Sequence, residues 1–152
     1  MTSAFLLGPG QGRELTSLGS TYMTKTDGSH VAGAYSLTEE SFFADTTPLH
    51  THVDAEEAFY VLAGEVEAWI DGATSSAGPG SFLVVPRGVA HGLRRLSDEP
   101  VRMLTLISPP GFEKVFEAVV EEGEATLLED PERLVALAAR FGTEIVGDYP
   151  GT

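Results

Sequence analysis

The stretch Pro48-Leu49-His50-Thr51-His52-Val53-Asp54-Ala55-Glu56-Glu57-Ala58-Phe59-Tyr60-Val61-Leu62-Ala63-Gly64 decides the fold of this chain. His50 and His52 are two residues apart, so on an extended strand both imidazoles leave the same face. Glu57 lies at an odd offset from His52 and would fall on the opposite face of an unbroken strand. The polar break Val53-Asp54-Ala55-Glu56 can turn the chain and reset the alternation, so that Glu57 opens a new strand with Phe59 and Val61 on its own side. A second stretch, Gly78-Pro79-Gly80-Ser81-Phe82-Leu83-Val84-Val85-Pro86-Arg87-Gly88-Val89-Ala90-His91, answers the first and brings His91 in after the Pro86-Arg87-Gly88 turn. Three imidazoles and one carboxylate suit a divalent first-row metal with positions left open for water or substrate.

These two stretches resemble the paired motifs of the cupin superfamily. The first motif, G-x5-H-x-H-x(3,4)-E-x6-G, is matched by His50, His52, Glu57 and Gly64, with Ala44 where its leading glycine would stand. The second, G-x5-P-x-G-x2-H-x3-N, is matched by Gly80, Pro86, Gly88 and His91, with Arg95 in place of the final asparagine. Neither departure falls on a ligand position. Glu56 competes with Glu57 for the carboxylate role, since the motif tolerates either spacing; the six-residue gap to Gly64 favours Glu57. The resemblance implies an all-β cupin jelly-roll barrel (a double-stranded β-helix) that holds one divalent metal through His50, His52, Glu57 and His91. The metal, Fe(II), Ni(II), Co(II), Mn(II) or Zn(II), is left undecided by these donors.

At 152 residues the chain has a single-domain length and can bury about two thirds of its unfolded surface. With 42% hydrophobic and 21% charged residues it has a globular composition, and seventeen glycines and nine prolines suit many short strands joined by turns. The formal net charge of -14 argues against nucleic acid and anionic membrane as partners, since either would need a basic patch. Absence of cysteine excludes disulfides, thiolate ligands and a cysteine nucleophile, and a reducing cytoplasm is the expected compartment. The apolar stretch Ala4-Phe5-Leu6-Leu7 is too short for a signal-peptide core.

Taken in order, residues 1–20 read as an irregular arm with at most one edge strand, residues 21–110 as the barrel, and residues 111–152 as a helical extension packed on it. A strand is expected at Thr21–Thr26, closed by the Asp27-Gly28 turn, then others at Val31–Leu37 and Ser41–Phe43. His30 falls in the turn between, as a surface histidine. Val66, Ala68 and Ile70 should face the core, leaving Trp69 outward as a packing or subunit contact. Ser81–Val85 is a continuous apolar run, as in a strand covered on both faces. Even spacing puts Leu93 and Arg95 on the side of His91. Arg95 then either reaches the cavity mouth to hold an anionic or phenolate oxygen, or pairs with a rim carboxylate. Val101–Ile107 closes the sheet.

From Gly111 the periodicity changes. Phe112, Val115, Phe116, Val119 and Val120 form one helical stripe; a second helix runs from its cap Asp130 and Pro131 to Gly142. Two C-terminal helices are therefore expected. Ala58, Tyr60 and Leu62 make an apolar outer face that these helices or a partner subunit must cover; a homodimer is expected from the family resemblance and from the outward Trp69.

The inward set Phe59, Val61, Val66, Ile70, Leu93 and Met103 describes an apolar cavity. Phe59, Val61, Leu93, Arg95 and Met103 are the expected substrate pocket. Over its length the chain is similar to small single-cupin bacterial proteins of the quercetinase type, at Leu6-Leu7-Gly8-Pro9-Gly10, Phe59-Tyr60-Val61-Leu62, Ser108-Pro109-Pro110-Gly111-Phe112-Glu113 and Ala139-Arg140-Phe141-Gly142. That resemblance implies a metal-dependent dioxygenase taking O2 and a small aromatic or enolic, flavonol-like substrate, with Glu57 both ligand and catalytic base. A non-redox isomerase, cyclase or lyase, or a non-catalytic binding module, are the alternatives.

Overall fold

The computed structural model describes residues 2–152. The chain runs through β1 (Arg13–Ser17), β2 (Ser20–Thr26), β3 (Ser36–Phe42), β4 (Leu49–His52), β5 (Glu56–Ala63), β6 (Val66–Ile70), β7 (Ala73–Ala77), β8 (Phe82–Val85), β9 (His91–Arg95) and β10 (Val101–Ser108). Three helices follow, α1 (Lys114–Glu122), α2 (Glu124–Leu128) and α3 (Pro131–Arg140), before a last strand, β11 (Thr143–Gly147). The strands form two antiparallel sheets, ordered β1-β2-β3-β10-β5-β8 and β11-β4-β9-β6-β7. This is the jelly-roll architecture expected of the sequence. No helix among the described residues is long and apolar enough to cross a membrane.

The inner wall of the six-stranded sheet has two chemically different ends. On β3, β5 and β10 alternate residues point inward, and toward one end these are Phe42, Val61, Val101 and Met103, each at most 1% exposed. With Val66, Ala68 and Val85 from neighbouring strands they fill that end as a solid core. Toward the other end the same alternation delivers Thr38, Glu40, Glu57 and Thr105, buried but polar. Hydrophobic closure at one end holds the strands in register, and that register aims the polar set into a cavity at the other.

Several local readings need correction. The strands expected at 31–37 and 41–43 are one strand, β3. Residues 29–31 instead make a single 3-10 turn between the left-handed residues Gly28 (φ 93) and Ala32 (φ 54), a backbone that no strand can continue through. β8 is not covered on both faces: it is a sheet edge, with Phe82 67% and Val84 52% exposed. Between Phe112 and Gly142 there are three helices rather than two, because Gly123 (φ 93, ψ 98) breaks the run and α2 restarts from it. The C-terminal segment also returns to the barrel. β11 pairs antiparallel with β4, setting Thr143 opposite His52 and Ile145 opposite His50.

Motif glycine Gly64 has φ 81, and a Cβ there would sit 2.9 Å from Ser97 Oγ and 3.1 Å from the Cα of Val101. Only glycine turns β5 into β6 at that spacing. α3 begins as its sequence indicates, the Asp130 side chain accepting from the Arg133 amide at 3.2 Å with Pro131 at the first position.

The helices do not cover Tyr60 and Leu62, which remain 44% and 38% exposed. They pack against β1 and β11 instead and form their own core of Val115, Val119, Leu127, Leu137 and Ala138 across the open end of the barrel. Arg13 of β1 ties to Glu117 of α1. Leu137 is 1% exposed in this helical core, and Leu137→Ala should cost about 2–5 kcal/mol through lost contacts and a cavity. A urea unfolding curve is expected to show a lower midpoint at unchanged slope.

Candidate metal centre

His50 and His52 leave β4 on one face, and His91 opens β9, the strand beside it; His50 and His91 are register partners. Glu57 comes from the opposite sheet, on β5. The turn over residues 53–55 reverses the chain between the sheets, so an odd sequence offset becomes a face-to-face meeting. One ligand atom from each of His50, His52, Glu57 and His91 lies within 4.8 Å of all the others. The sequence singled out these four, and the structure brings them together. Glu56, the competing carboxylate, faces solvent and pairs with Arg87 at 2.6 Å.

The outward nitrogens of the rings are already committed. His50 Nδ1 lies 2.9 Å from the Pro48 carbonyl and His91 Nδ1 3.0 Å from the Val89 carbonyl. A carbonyl only accepts, so each of these Nδ1 atoms carries a proton, and in the neutral ring the Nε2 lone pair is free. His52 Nδ1 is held 3.0 Å from Thr143 Oγ1. Anchored outer nitrogens with inward Nε2 atoms are the arrangement by which proteins orient imidazole ligands.

Glu57 Oε2 lies 3.0 Å from His52 Nε2 and 2.9 Å from His91 Nε2. Burial alone would push its carboxyl up, but the hydrogen bonds and charge of the two imidazoles hold it well below the usual carboxylate range. His91 responds in the opposite sense: burial would lower it, and its bond to Glu57 raises it. His50, half-buried and facing the other two rings, is held down to about 4 by desolvation first and by those rings, and stays neutral. A divalent cation between these atoms would take over the role that the shared protons play toward Glu57. With nitrogen and oxygen donors, no thiolate and a cavity on one side, the set fits an open metal site rather than a closed structural zinc.

That cavity holds about 170 Å³. Phe59 and Leu93 line it, as the sequence indicated; Val61 and Met103 lie instead in the solid core at the closed end of the barrel. Arg95 does not reach the cavity. Its guanidinium donates to the Ser97 and Asp98 carbonyls at 2.6 and 2.9 Å and pairs with Asp45 at 3.0 Å, pinning loops at the barrel's other end. Arg95 keeps the parity of His91 and Leu93 but pairs with Val66, further along the barrel than the cavity reaches.

Sequence reasoning passed over the residues that close the mouth. Phe112 packs against His52, with ring centroids 4.3 Å apart, and Phe116 and Leu134 line the cavity beside it. Their helical stripe was legible; what it covers was not. Glu40, Tyr22 and Thr143 were also missed, although period-two counting back from Phe42 places Glu40 inside.

Residues 44–107 match the family model described as Cupin domain, Cupin_2. Over 86 residues the chain is 31% identical to quercetin 2,3-dioxygenase of Bacillus subtilis, a match covering 56% of this chain and 25% of that protein. The chain thus spans about a quarter of that relative's length. The structure of the polyketide cyclase RemF from Streptomyces resistomycificus is 29% identical with a TM-score of 0.53, covering 63% of this chain and 69% of RemF. KdgF from Halomonas sp. superposes with a TM-score of 0.61 at 19% identity, over 71% of this chain and 94% of KdgF, which speaks to the fold alone.

Metal binding must displace the proton that Glu57 stabilises on His91, so metal affinity should fall as pH drops, the loss beginning above the ordinary histidine range, with proton release on binding. Calorimetric titration of metal-stripped protein in buffers of different ionisation enthalpy reads both. Thr143→Val, which frees His52 Nδ1, should weaken metal binding about 10–100-fold, and His91→Ala by more.

Proposed function

We propose that this chain, whose residues 44–107 match the cupin domain, is a metal-dependent enzyme acting on a small, flat, enolic or phenolic molecule, and that its reaction is a ring dioxygenation of the quercetinase kind. The observation that carries the reading is the meeting of a three-histidine, one-carboxylate cluster with a cavity of about 170 Å³. This volume is below the roughly 300–1,000 Å³ of pockets for drug-sized ligands, so the favoured substrate has one ring or a compact fused pair. No lysine or arginine lines the cavity among the described residues, so an anionic group would find no counter-charge there except at the metal.

In this reading His50, His52 and His91 hold the ion through Nε2, and Glu57 is both the fourth ligand and the acceptor of the enolic proton. Phe59 and Leu93 support the ring, while Phe112, Phe116 and Leu134 keep water from the mouth. A bound divalent ion would supply Lewis acidity toward the enolic hydroxyl and, if redox-active, a route to oxygen. Fe(II), Ni(II), Co(II), Mn(II) and Zn(II) all suit the donor set. Similarity to quercetin 2,3-dioxygenase supports the oxidative branch. A non-redox cyclisation is the second reading, favoured by the 29% identity to a polyketide cyclase. The absence of cysteine suits a cytoplasmic location, which belongs to the same proposal.

Oxygen uptake separates the two readings. Metal-stripped protein, reloaded with each of the five ions and offered quercetin and smaller enols, should consume oxygen with one redox-capable metal. That uptake should fall to background in Glu57→Gln and His91→Ala. Turnover without oxygen consumption, giving a product of unchanged or water-depleted mass, would transfer the assignment to non-redox chemistry.

The partner proposed for the outer sheet face is a second copy of the chain. Tyr60 and Phe82 are register partners there, and with Leu62 and Val84 they leave an apolar patch on the edge of the six-stranded sheet. Sedimentation velocity should report a dimer for the native chain, and Phe82→Asp should shift it to monomer with metal binding retained.

A further inference from the structure

The cavity wall carries a carboxyl that the metal centre does not use. Glu40 lies on the inner face of β3, 8% exposed, and lines the same cavity as Glu57. Ser20 Oγ of β2 donates to its Oε1 at 2.7 Å, and Thr105 Oγ1 of β10 donates to its Oε2 at 2.9 Å. These two hydroxyls, from the strands on either side of β3, fix the carboxyl plane from both edges. Each oxygen keeps a second in-plane position, and the open side of the group is the cavity.

The adjacent residue is a built-in comparison. Glu39 points the other way, where Arg102 at 2.5 Å and Lys25 at 3.4 Å hold it ionised and below the ordinary carboxylate value. Among the described residues no cation pairs with Glu40. The titratable groups that share its cavity are Tyr22 from β2, Glu57 from β5, His50 and His91 from the facing sheet, and Glu113 ahead of α1. Of these, Glu113 accepts from the Gly111 amide at 2.8 Å through Oε2, while its Oε1 is buried without a partner among the described residues. Burial foremost, and the Glu57 charge with it, raise Glu40 to about 7 against the pull of its two hydroxyl donors. A carboxyl in that state is a hydrogen-bond donor near neutral pH, which Glu57 cannot be.

We propose that Glu40 is the second polar handle of the cavity, a neutral carboxylic acid anchored by Ser20 and Thr105 that donates a hydrogen bond to a carbonyl oxygen of the ligand. The inference rests on the proposed function in one respect: it defines the end of the substrate remote from the metal. The ligand class becomes an uncharged ring with an enol or phenol at one end and a carbonyl at the other. Carboxylates and phosphates at the Glu40 end are rejected, because the ionised Glu57 shares the cavity and no lysine or arginine among the described residues lines it.

Two probes separate the two ends, used on the full chain loaded with redox-inert Zn(II). Acetophenone offers a carbonyl and no ionisable hydroxyl to chelate the metal; catechol offers hydroxyls for the metal and no carbonyl. Acetophenone should bind the native protein at pH 6 and weaken about tenfold by pH 8.5, as the donor proton is lost. Glu40→Gln, which keeps an N–H donor of the same size but no titrating proton, should bind acetophenone with the same affinity at both pH values. Thr105→Val removes a donor that favours the charged form, and should move the loss of affinity to higher pH. A purely structural role for Glu40 would move neither profile. Flat acetophenone affinity in the native protein, the native pH profile surviving in Glu40→Gln, or no acetophenone binding at pH 6 would each overturn the proposal. Catechol should bind equally to native protein and Glu40→Gln and should require the metal. Loss of catechol binding with acetophenone behaviour intact would overturn the metal-end reading and leave the Glu40 assignment standing.

Discussion

Everything at the functional end of this protein depends on one contact between its two sheets: a single Glu57 oxygen lying 3.0 and 2.9 Å from the Nε2 atoms of His52 and His91. The carboxylate belongs to one sheet and the imidazoles to the other. Holding them this close requires the barrel to fix the separation of its sheets to within a fraction of an ångström. Buried ionisable groups make that demand severe, since an uncompensated charge in such a place is costly. The remaining ring nitrogens are tied to Pro48, Val89 and Thr143, so the rings cannot rotate away to relieve the contact.

The solid end of the barrel supplies the rigidity. Phe42, Val61, Val101 and Met103 are almost wholly excluded from water, and they lie on the same strands and the same faces as Glu40, Glu57 and Thr105. Because side chains alternate with period two, one slip of register would move the core and the site outward together. Stability and function are in this way written on the same inner face, the first near one rim and the second near the other. The C-terminal helices complete the division. They cap the functional rim and bring Phe112 onto His52, at the cost of leaving the outer face of β5 and β8 uncovered.

Much of the site was legible because its determinants are local. His50 and His52 share a face by spacing alone, Gly64 and Gly88 sit at positive φ where turns require them, and the break before Glu57 is visible as a polar interruption. Preference for Glu57 over Glu56 follows from the six-residue gap to Gly64, and the structure agrees by pairing Glu56 with Arg87 on the surface. Where the readings went astray, a non-local fact intervened. Apolar Ser81–Val85 looks like a central strand but lies at a sheet edge, because edge position is set by which strands pair and not by the strand's own residues. Arg95 has the right parity for the cavity but stands two residues beyond Leu93 along β9, where carbonyls of a neighbouring loop capture its guanidinium. β11 is only five residues long, follows closely on a helix, and is placed as a strand by the edge that β4 offers it.

By itself, then, the sequence determined the four-residue His/Glu cluster and the existence of an amphipathic C-terminal helical segment, since each follows from spacing along a few consecutive turns or strands, while the barrel was what the resemblance of the two motifs implied. Tertiary structure alone decided that the helices close the mouth of the barrel, that Val61 and Met103 belong to the solid core, and that Glu40 shares a cavity with Glu57. Those outcomes depend on how far along the barrel axis each inward residue sits relative to residues distant in sequence. Periodicity specifies a face and carries no information about depth, which only the pairing of all the strands supplies.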